Sequence, residues 1–229
     1  MGLKSVQDGI FISFEGGEGV GKSTQIRRLA ERLKQKGYQV VLTREPGGSA
    51  GAEAVRHILL SGAAQPFGVG MEVLLFAGAR NDHVEAVIKP ALAQGKVVLC
   101  DRFMDSSRVY QGTAGGLTRP FISAVERIAV DGVLPDRTLI LDLDTIEGLK
   151  RVSRRSSQTA GPAAPDRFEK DDVTVHENRR QAFLEIARRE PERCKVIDAG
   201  LNADAVAESV WDAVLPLLDR RAAFSGGER

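Results

Sequence analysis

The segment G-G-E-G-V-G-K-S-T, residues Gly16 to Thr24, lies between a short apolar run, Ile10 to Phe14, and a stretch of helical character, Lys22 to Lys36. It matches the pattern G-x-x-x-x-G-K-[ST] at every fixed position and has the expected strand before it and helix after it. Glycines let the backbone curl so that successive N–H groups point at phosphate oxygens, and the helix N-terminus adds partial positive charge. Such a loop, a P-loop, uses its lysine to reach the β- and γ-phosphates of a nucleotide and its Ser hydroxyl to coordinate Mg²⁺. The residues predicted to bind ATP here are Gly16, Gly17, Glu18, Gly19, Val20, Gly21, Lys22, Ser23 and Thr24.

Further strand-like runs follow the loop at regular intervals. They are Tyr38 to Leu42, Val97 to Cys100, Thr138 to Leu143 and a weaker one, Lys195 to Ile197. The long segments between them have helical spacing, and strands that alternate with helices indicate parallel pairing with right-handed crossovers. We therefore predict an α/β fold of the P-loop NTPase type: a three-layer sandwich with a five-stranded parallel sheet flanked by helices.

The chain has no internal repeat and no linker that would divide it. We predict an N-terminal tail at residues 1–9, one P-loop domain at 10–218 and a flexible C-terminal tail at 219–229. Within the domain, Ser153 to Pro165 is rich in Ser, Arg, Ala and Pro, which is typical of a mobile basic loop. This loop belongs to a predicted lid at about residues 151–168.

The bulk composition is that of an ordinary globular protein. Hydrophobic residues make up 42% and charged residues 28%, and the net charge of +1 gives no reason to expect a nucleic-acid polymer as partner. No run approaches the roughly 18 apolar residues of a membrane span, and the N-terminus lacks a signal peptide. The two cysteines, Cys100 and Cys194, are typical of buried thiols, so we expect a cytoplasmic protein without a membrane partner.

A second candidate site follows the strand Val97 to Cys100, which ends in Asp101 and Arg102. Ligands of open parallel sheets gather at the carboxyl ends of the strands. Asp101 is therefore placed to hold Mg²⁺ or its water, and Arg102 to neutralise a phosphate. A structural Asp–Arg pair at the strand end is the alternative.

Other polar residues have the spacing of one helix face. Ser107, Tyr110 and Gln111 stand at i, i+3 and i+4, a face that suits a base or sugar or else a solvated surface. Phe76 and Arg80 stand at i and i+4, so an aromatic plane beside a guanidinium could bind a nucleobase, although a Phe in such a helix is more often core.

Two arginines near a predicted turn are weaker candidates. The turn T-R-E-P-G-G-S, Thr43 to Ser49, follows the second strand. Arg44, within it, and the later Arg56 could face an anionic substrate or simply be surface charges. Glu18 is unusual because a carboxylate beside bound phosphates is costly unless it faces another group, such as a sugar hydroxyl. A solvated loop acid is the alternative.

Together these segments resemble the thymidylate kinase family, which phosphorylates dTMP with ATP. The resemblance runs from about Ile10 to Leu217 and rests on the ordered set F-E-G-G-E-G-V-G-K-S-T, T-R-E-P-G-G-S, L-L-F-A-G-A-R, D-R-F-x-x-S-S-x-x-Y-Q-G, and L-D-L-D with a later D-R-F-E. It implies that Glu18 contacts the deoxyribose 3′-hydroxyl, that Phe76 stacks on thymine and that Arg80 donates to O4 of the base. Arg102 would bind the acceptor phosphate and Tyr110 would lie under the sugar. The substrate-binding set implied by the resemblance is Glu18, Arg44, Glu45, Pro46, Arg56, Phe76, Arg80, Arg102, Ser107, Tyr110 and Gln111.

The resemblance also bears on the catalytic arginine. Some family members carry an arginine within the P-loop, but this chain has Glu18-Gly19 there, so the arginine is expected from the lid, as in bacterial-type members. The lid is longer than usual, with Ser156 to Pro165 inserted before D-R-F-E. The insertion leaves open which lid arginine touches the γ-phosphate. The candidates are Arg151, Arg154, Arg155 and Arg167, of which we favour Arg155 and then Arg151. The segment Asp198-Ala199-Gly200 resembles the loop that flanks adenine, which assigns Ala199 to the ATP site.

The resulting hypothesis is a dTMP kinase of dTTP biosynthesis that uses ATP and Mg²⁺. Its predicted catalytic residues are Lys22, Asp101, Arg102, Arg151 and Arg155, its predicted metal ligands are Ser23 and Asp101, and family members are homodimers. A kinase for another nucleoside monophosphate is the first alternative. A non-catalytic P-loop switch is the second, but the guanine-reading sequence N-K-x-D that it needs is absent from the chain.

Overall fold

The computed structural model describes residues 9–113, 115–158 and 171–226. Its strands form one parallel sheet in the order β2-β3-β1-β4-β5, which confirms the predicted fold class. The strands are β1 Ile10–Glu15, β2 Val40–Arg44, β3 Val97–Asp101, β4 Arg137–Asp142 and β5 Cys194–Asp198.

Helices connect the strands. They are α1 Lys22–Gln35, α2 Ala50–Ser61, α3 Gly68–His83, α4 Lys89–Ala93, α5 Met104–Ser107, α6 Arg119–Val130, α7 Thr145–Gln158, α8 Val173–Arg189 and α9 Ala203–Gly226. A 3₁₀ turn, Gln65–Phe67, precedes α3, and two π-helical segments, Val84–Ile88 and Arg108–Thr113, follow α3 and α5.

The three central strands, β1, β3 and β4, are buried on both faces, as the alternation of side chains in β1 shows. Ile10, Ile12 and Phe14 point to a core shared with α1 and α9, whereas Phe11 packs on the opposite face against Phe103 and neighbouring residues. Burial on both faces explains why these strands are continuous apolar runs rather than alternating ones. The sheet is therefore a rigid middle layer whose loops can carry chemistry.

The register brings the predicted site residues to one edge of the sheet. Phe14 in β1 is paired with Asp101 in β3, and Arg44 in β2 is paired with the same Asp101. The carboxyl ends of β1, β3 and β2 therefore lie side by side. They are followed by the P-loop, Arg102 and the turn after β2, at the edge where ligands of open parallel sheets bind.

Three local predictions differ from the structure. β2 begins at Val40 rather than Tyr38, because the Tyr38 amide donates to Leu33 O and closes α1. The predicted loop beginning at Ser153 is wrong as far as Gln158, since α7 continues through a stretch without Gly or Pro. The predicted tail from residue 219 is helical as far as Gly226, because α9 continues to that residue.

No single helix in the described ranges is long and apolar enough to cross a membrane. The helical segments Ala50–Ser61 and Gln65–Ala93 reach this length and apolar composition only when they are counted as one span, and the two are bent by 84° relative to each other.

Candidate active site

The P-loop has the backbone geometry that its glycines predict. Gly16 has φ +129°, and a Cβ there would lie 2.4 Å from Leu141 O. Gly19 has φ +70°, and a Cβ there would lie 2.1 Å from Gly148 O in α7. Because both positions combine a left-handed backbone with a close carbonyl, neither accepts a side chain without distortion. The loop is thus curled tightly between β4 and α7.

Lys22 lies buried inside the loop. Its Nζ donates to Gly16 O at 3.0 Å and to Gly17 O at 2.8 Å. Burial, and then the nearby Arg102 guanidinium, lower the pKa of Lys22 from its ordinary value. The ammonium is therefore held at the loop by two neutral carbonyls, which phosphate oxygens would outcompete because charge-assisted hydrogen bonds are stronger.

Ser23 and Asp101 meet at the start of α1 and the end of β3. The Ser23 Oγ donates to Asp101 Oδ2 at 3.0 Å. Two oxygen atoms from separate elements thus lie next to each other beside the P-loop. Hydroxyl and carboxylate oxygens are the protein ligands that Mg²⁺ prefers when it also binds nucleotide phosphates.

Arg102 has a strained backbone and a fully engaged side chain. It has φ +69°, a conformation that costs energy for a residue with a Cβ and is enriched at functional sites. Its Nη2 donates to Glu18 at 2.6 Å, and its Nη1 donates to Gly16 O at 3.2 Å and to Ser106 Oγ at 3.3 Å. Burial opposes ionisation, but Tyr110, Glu18 and other acidic neighbours outweigh it and raise the pKa of Arg102. A permanent cation is thereby fixed at the end of β3.

Glu18 joins the P-loop to Tyr110 as well as to Arg102. The Tyr110 hydroxyl donates to Glu18 Oε1 at 2.9 Å. Burial acts to raise the pKa of Glu18, but Arg102, Lys22 and the Tyr110 hydroxyl together lower it to about 2. Glu18 is consequently an ionised, acceptor-only group at neutral pH.

A cavity of 180 Å³ opens beside these residues. It lies outside the ends of β1, β2 and β3, and its walls come from the P-loop, the turn after β2, α2, α3 and the segment after β3. The residues that line it are Glu18, Arg44, Glu45, Pro46, Arg56, Leu60, Phe76, Arg80, Asp101, Arg102, Phe103, Ser106, Ser107, Tyr110 and Gln111.

One end of the cavity combines an aromatic ring with a fixed guanidinium. Phe76 is half-buried and lines the cavity, so its ring is not simply core. Arg80, only 2% exposed, donates through Nε to Glu45 at 2.7 Å and through Nη2 to Phe103 O and Ser107 Oγ, both at 3.1 Å. A flat group with acceptor atoms could stack on Phe76 and accept from Arg80.

The chain matches known proteins over most of its length. A family model described as thymidylate kinase matches residues 14–210. The chain belongs to the thymidylate kinase family. It is 54% identical over 206 residues to a thymidylate kinase of Bradyrhizobium sp. (strain ORS 278), a match that covers 90% of this chain and 89% of the relative. It is 53% identical to a thymidylate kinase of Bradyrhizobium sp. (strain BTAi1 / ATCC BAA-1182) over the same shares. The crystal structure of thymidylate kinase from Ehrlichia chaffeensis aligns with a TM-score of 0.72 and 34% identity, covering 90% of this chain and 99% of that one.

The structure places the substrate-binding residues predicted from the resemblance to thymidylate kinases around one cavity. Every residue of the predicted substrate-binding set, from Glu18 to Gln111, lines the 180 Å³ cavity. Within that set Arg44 and Arg56 are tied to the turn after β2. Arg44 pairs with Glu53 on α2, and Arg56 Nη1 donates to Pro46 O at 2.6 Å. Ser107, Tyr110 and Gln111 share the cavity although a helix of mixed α and π form carries them rather than a regular α-helix.

The predicted residues of the lid and the adenine loop are only partly described. Arg151 lies in α7, and its Nη1 donates to Ala199 O at 3.1 Å, so the structure places it at the predicted adenine loop. Arg154 is exposed on the same helix. The side chain of Arg155, and all of Arg167, lie outside the described part of this family member.

Sequence reasoning missed Glu15, the last residue of β1. Glu15 is fully buried and accepts from the Phe103 amide at 2.8 Å, from the Ser106 amide at 3.3 Å and from Ser106 Oγ at 2.7 Å. Burial and the neighbouring Asp105 raise the pKa of Glu15 to about 7. It holds the backbone that follows the strained Arg102. The signal was available, since Glu15 ends an apolar strand in the same way as Asp101.

Proposed function

We propose that this chain is a thymidylate kinase, which transfers the γ-phosphoryl group of ATP to dTMP and yields ADP and dTDP on the route to dTTP. The observation that carries the proposal is the 180 Å³ cavity beside the P-loop, because it unites a stacking ring, a fixed guanidinium, an ionised carboxylate and a permanent cation. These groups match, in order, the base, its O4 atom, the sugar hydroxyl and the phosphate of dTMP.

On the acceptor side, Phe76 stacks on thymine, Arg80 donates to O4, and Ser107 and Gln111 approach the base. Glu18 accepts from the 3′-hydroxyl, and Tyr110 fills the space under the sugar, which disfavours a ribose 2′-hydroxyl. Arg102 binds the acceptor phosphate. Support comes from the position of all these residues on one cavity wall and from the lowered pKa of Glu18.

On the donor side, the curled loop from Gly16 to Thr24 binds the ATP phosphates through its amides, and Lys22 turns from its two carbonyl partners to the phosphates. Ser23 and Asp101 would hold Mg²⁺, and their 3.0 Å contact supports this assignment. The described residues contain no cluster of three or more His, Cys, Asp or Glu side chains suited to a metal. Mg²⁺ needs no such cluster, since it binds through one or two protein oxygens together with substrate phosphates and water. When bound, it neutralises charge on the donor phosphates.

Phosphoryl transfer from ATP to dTMP requires mainly that the reacting groups are positioned and that their negative charge is neutralised. The dTMP phosphate is already anionic near neutral pH, so its oxygen attacks the γ-phosphorus in line without a strong general base. Lys22 and Arg102 stabilise the charge that spreads over the transferring group. A lid arginine adds to this stabilisation, and we propose Arg155 for that role. Because Arg151 contacts Ala199, we propose that it orders the adenine loop as well.

The decisive assay measures ADP formation from ATP and Mg²⁺ across a panel of acceptors: dTMP, dUMP, dCMP, UMP, dAMP and dGMP. The proposal expects the highest kcat/KM with dTMP, and no turnover when Mg²⁺ is chelated. A preference for another monophosphate would assign a different acceptor. ATP binding without any acceptor-dependent turnover would refute a kinase and favour a nucleotide switch.

We further propose that the protein acts as a homodimer through α3 and α6. An apolar stripe on α3 and the turn before it leaves Phe67, Met71 and Leu74 exposed by 70%, 44% and 54%, and Ile128 on the adjacent α6 is 75% exposed. Contiguous exposed apolar side chains on packed helices are typical of an interface. Residues 10–218 would form the single kinase domain of each subunit, and the two buried, unpaired cysteines support a cytoplasmic location.

A further inference from the structure

A chain of hydrogen bonds leads from behind the cavity wall to Arg80. His83 Nε2 lies 2.6 Å from Thr43 Oγ1, and His83 Nδ1 lies 3.2 Å from Glu45 Oε1. The other oxygen of Glu45, Oε2, accepts from Arg80 Nε at 2.7 Å. Glu45 and Arg80 line the cavity, whereas His83 lies behind them and is completely buried.

The surroundings select one tautomer of His83. The Glu45 carboxylate can only accept, so a proton on Nδ1 donates to it. Nε2 of a neutral ring then carries a lone pair, and the Thr43 hydroxyl donates to it. The reverse tautomer would set the Nδ1 lone pair against the carboxylate oxygen. Thr43 therefore orients His83, and His83 orients Glu45.

The turn after β2 seals this contact from the other side. Gly48 has φ +91°, and a Cβ at this position would lie 2.4 Å from Thr43 Oγ1 and 2.6 Å from His83 Nε2. The backbone therefore lies directly against the hydrogen bond between Thr43 and His83. A hydrogen bond with the backbone packed against it in this way has little freedom to rearrange.

The last hydrogen bond of this series, from Arg80 to Glu45, determines where the Arg80 guanidinium points. Glu45 holds Nε, while Phe103 O and Ser107 Oγ hold Nη2, and none of the described hydrogen bonds uses Nη1. A planar guanidinium held at two of its three nitrogens has one orientation. If Glu45 loses its second partner, the carboxylate can rotate, and Arg80 can follow it.

We propose that His83 is a positioning residue that sets the base selectivity of the acceptor site through Glu45 and Arg80. The inference rests on the proposed function, in which Arg80 donates to O4 of the pyrimidine. A base with an amino group at position 4, as in dCMP, presents a donor there, and a fixed Arg80 rejects it because two donors face each other. An Arg80 that can turn accepts such a base more readily.

The test compares kcat and KM for dTMP, dUMP and dCMP in four variants. His83→Ala removes both contacts, Thr43→Val removes only the hydroxyl that orients the ring, and His83→Asn retains an amide donor for Glu45. Arg80→Met removes the group on which the chain acts. The matched controls are His57→Asn, an exposed histidine of α2, and Ser13→Ala, a buried hydroxyl of β1 that is bonded to Thr138.

Loss of one buried hydrogen bond to a charged group corresponds to a change of about tenfold. We therefore expect His83→Ala to reduce the ratio of kcat/KM for dUMP over dCMP by about tenfold or more, and to raise KM for dTMP while KM for ATP stays the same. Thr43→Val should show a smaller loss, and His83→Asn should recover part of the selectivity. In the Arg80→Met background, His83→Asn should change the ratio no further, and both controls should match the wild type.

Unchanged selectivity in His83→Ala and Thr43→Val, with a wild type that phosphorylates dTMP, would overturn the inference and leave the proposed function standing. A wild type that does not phosphorylate dTMP would instead refute the proposed function. If thermal unfolding shows that His83→Ala does not fold, Thr43→Val decides. Reduced selectivity in that variant supports the inference, and wild-type selectivity overturns it.

Discussion

Replacing Glu18 by Gln tests the acceptor site at the residue that connects it to the P-loop. The substitution keeps the size of the side chain but removes its charge. Wild-type Glu18 accepts from Arg102 at 2.6 Å and from Tyr110 at 2.9 Å, and the first of these bonds joins two partly buried ions. Removing the negative charge leaves Arg102 with a weaker partner and leaves the sugar hydroxyl with a weaker acceptor.

The size of the effect follows from these contacts. A hydrogen bond to a charged group contributes about 1.5–3 kcal/mol, and a loss of about 2 kcal/mol from the transition state corresponds to about a 30-fold fall in kcat/KM. We expect this fall with dTMP, while KM for ATP changes little because the loop amides and Lys22 remain. An acceptor without the 3′-hydroxyl, 2′,3′-dideoxy-TMP, should lose most of its disadvantage relative to dTMP in the Glu18→Gln variant.

The measurement is a coupled assay of ADP release for both acceptors with wild type and variant, which together form a double-mutant cycle. The pKa of Glu18 is lowered to about 2, so the charged form is present throughout the assay range, and the ratio between enzymes should not change with pH above about pH 5. An undiminished preference for the 3′-hydroxyl in Glu18→Gln would refute the assignment of Glu18 to the sugar. Retained thermal stability would be required for either conclusion.

Three further predictions concern the P-loop, the buried acid and the interface. Lys22→Ala should lower kcat by orders of magnitude with an unchanged circular dichroism spectrum, and near-normal turnover would contradict the P-loop role. Because burial and Asp105 raise the pKa of Glu15 from 4.5 to about 7, its stabilising contribution is complete below about pH 4.5 and is lost as pH rises through about 7. Urea denaturation between about pH 5 and pH 8 should therefore show Glu15→Gln gaining up to about 3 kcal/mol of unfolding free energy over the wild type, whereas parallel pH curves would contradict the raised pKa. Leu74→Glu places a charge on the exposed stripe of α3 and should elute as a monomer of 24.7 kDa, against a dimer for the wild type; equal elution would remove that stripe from the interface.

The sheet and the P-loop could be predicted because their signals are local. β1 is a continuous apolar run that ends at a glycine pattern, and both features lie within fifteen residues of each other along the chain. Spacing alone named many of the cavity residues as candidates but left the alternatives open, such as a core position for Phe76 and a surface charge for Arg44. Only the family resemblance gave each residue a role toward the substrate. Local patterns reach as far as one helix face or one turn.

The rest of the site depends on contacts between distant parts of the chain. Glu15 meets Phe103 across 88 positions, and Glu45 meets Arg80 across 35. A left-handed Arg102 gives no sequence signal either, because glycine or asparagine would be expected at such a backbone position. Its conformation becomes understandable only when Glu15 is seen to hold the amides that follow it. The lid differs for another reason: Ser and Arg residues without Gly or Pro are compatible with either a loop or a helix, and α7 adopts the helix as far as Gln158.

The ion pair between Arg102 and Glu18 also bears on how the site distinguishes a nucleotide from a nucleoside. Arg102 Nη2 donates to Glu18 Oε1 at 2.6 Å, so the two charges pair with each other. In the proposed reaction the dTMP phosphate engages Arg102 and the 3′-hydroxyl engages Glu18, so two ends of one substrate replace a single internal contact. A nucleoside has the hydroxyl but no phosphate, and it would have to compete with Arg102 for Glu18 without compensating this partly buried cation. Leaving a buried charge with a weakened partner is costly. The pairing of Arg102 with Glu18 therefore favours substrates that carry both groups, and it links recognition of the sugar to recognition of the phosphate.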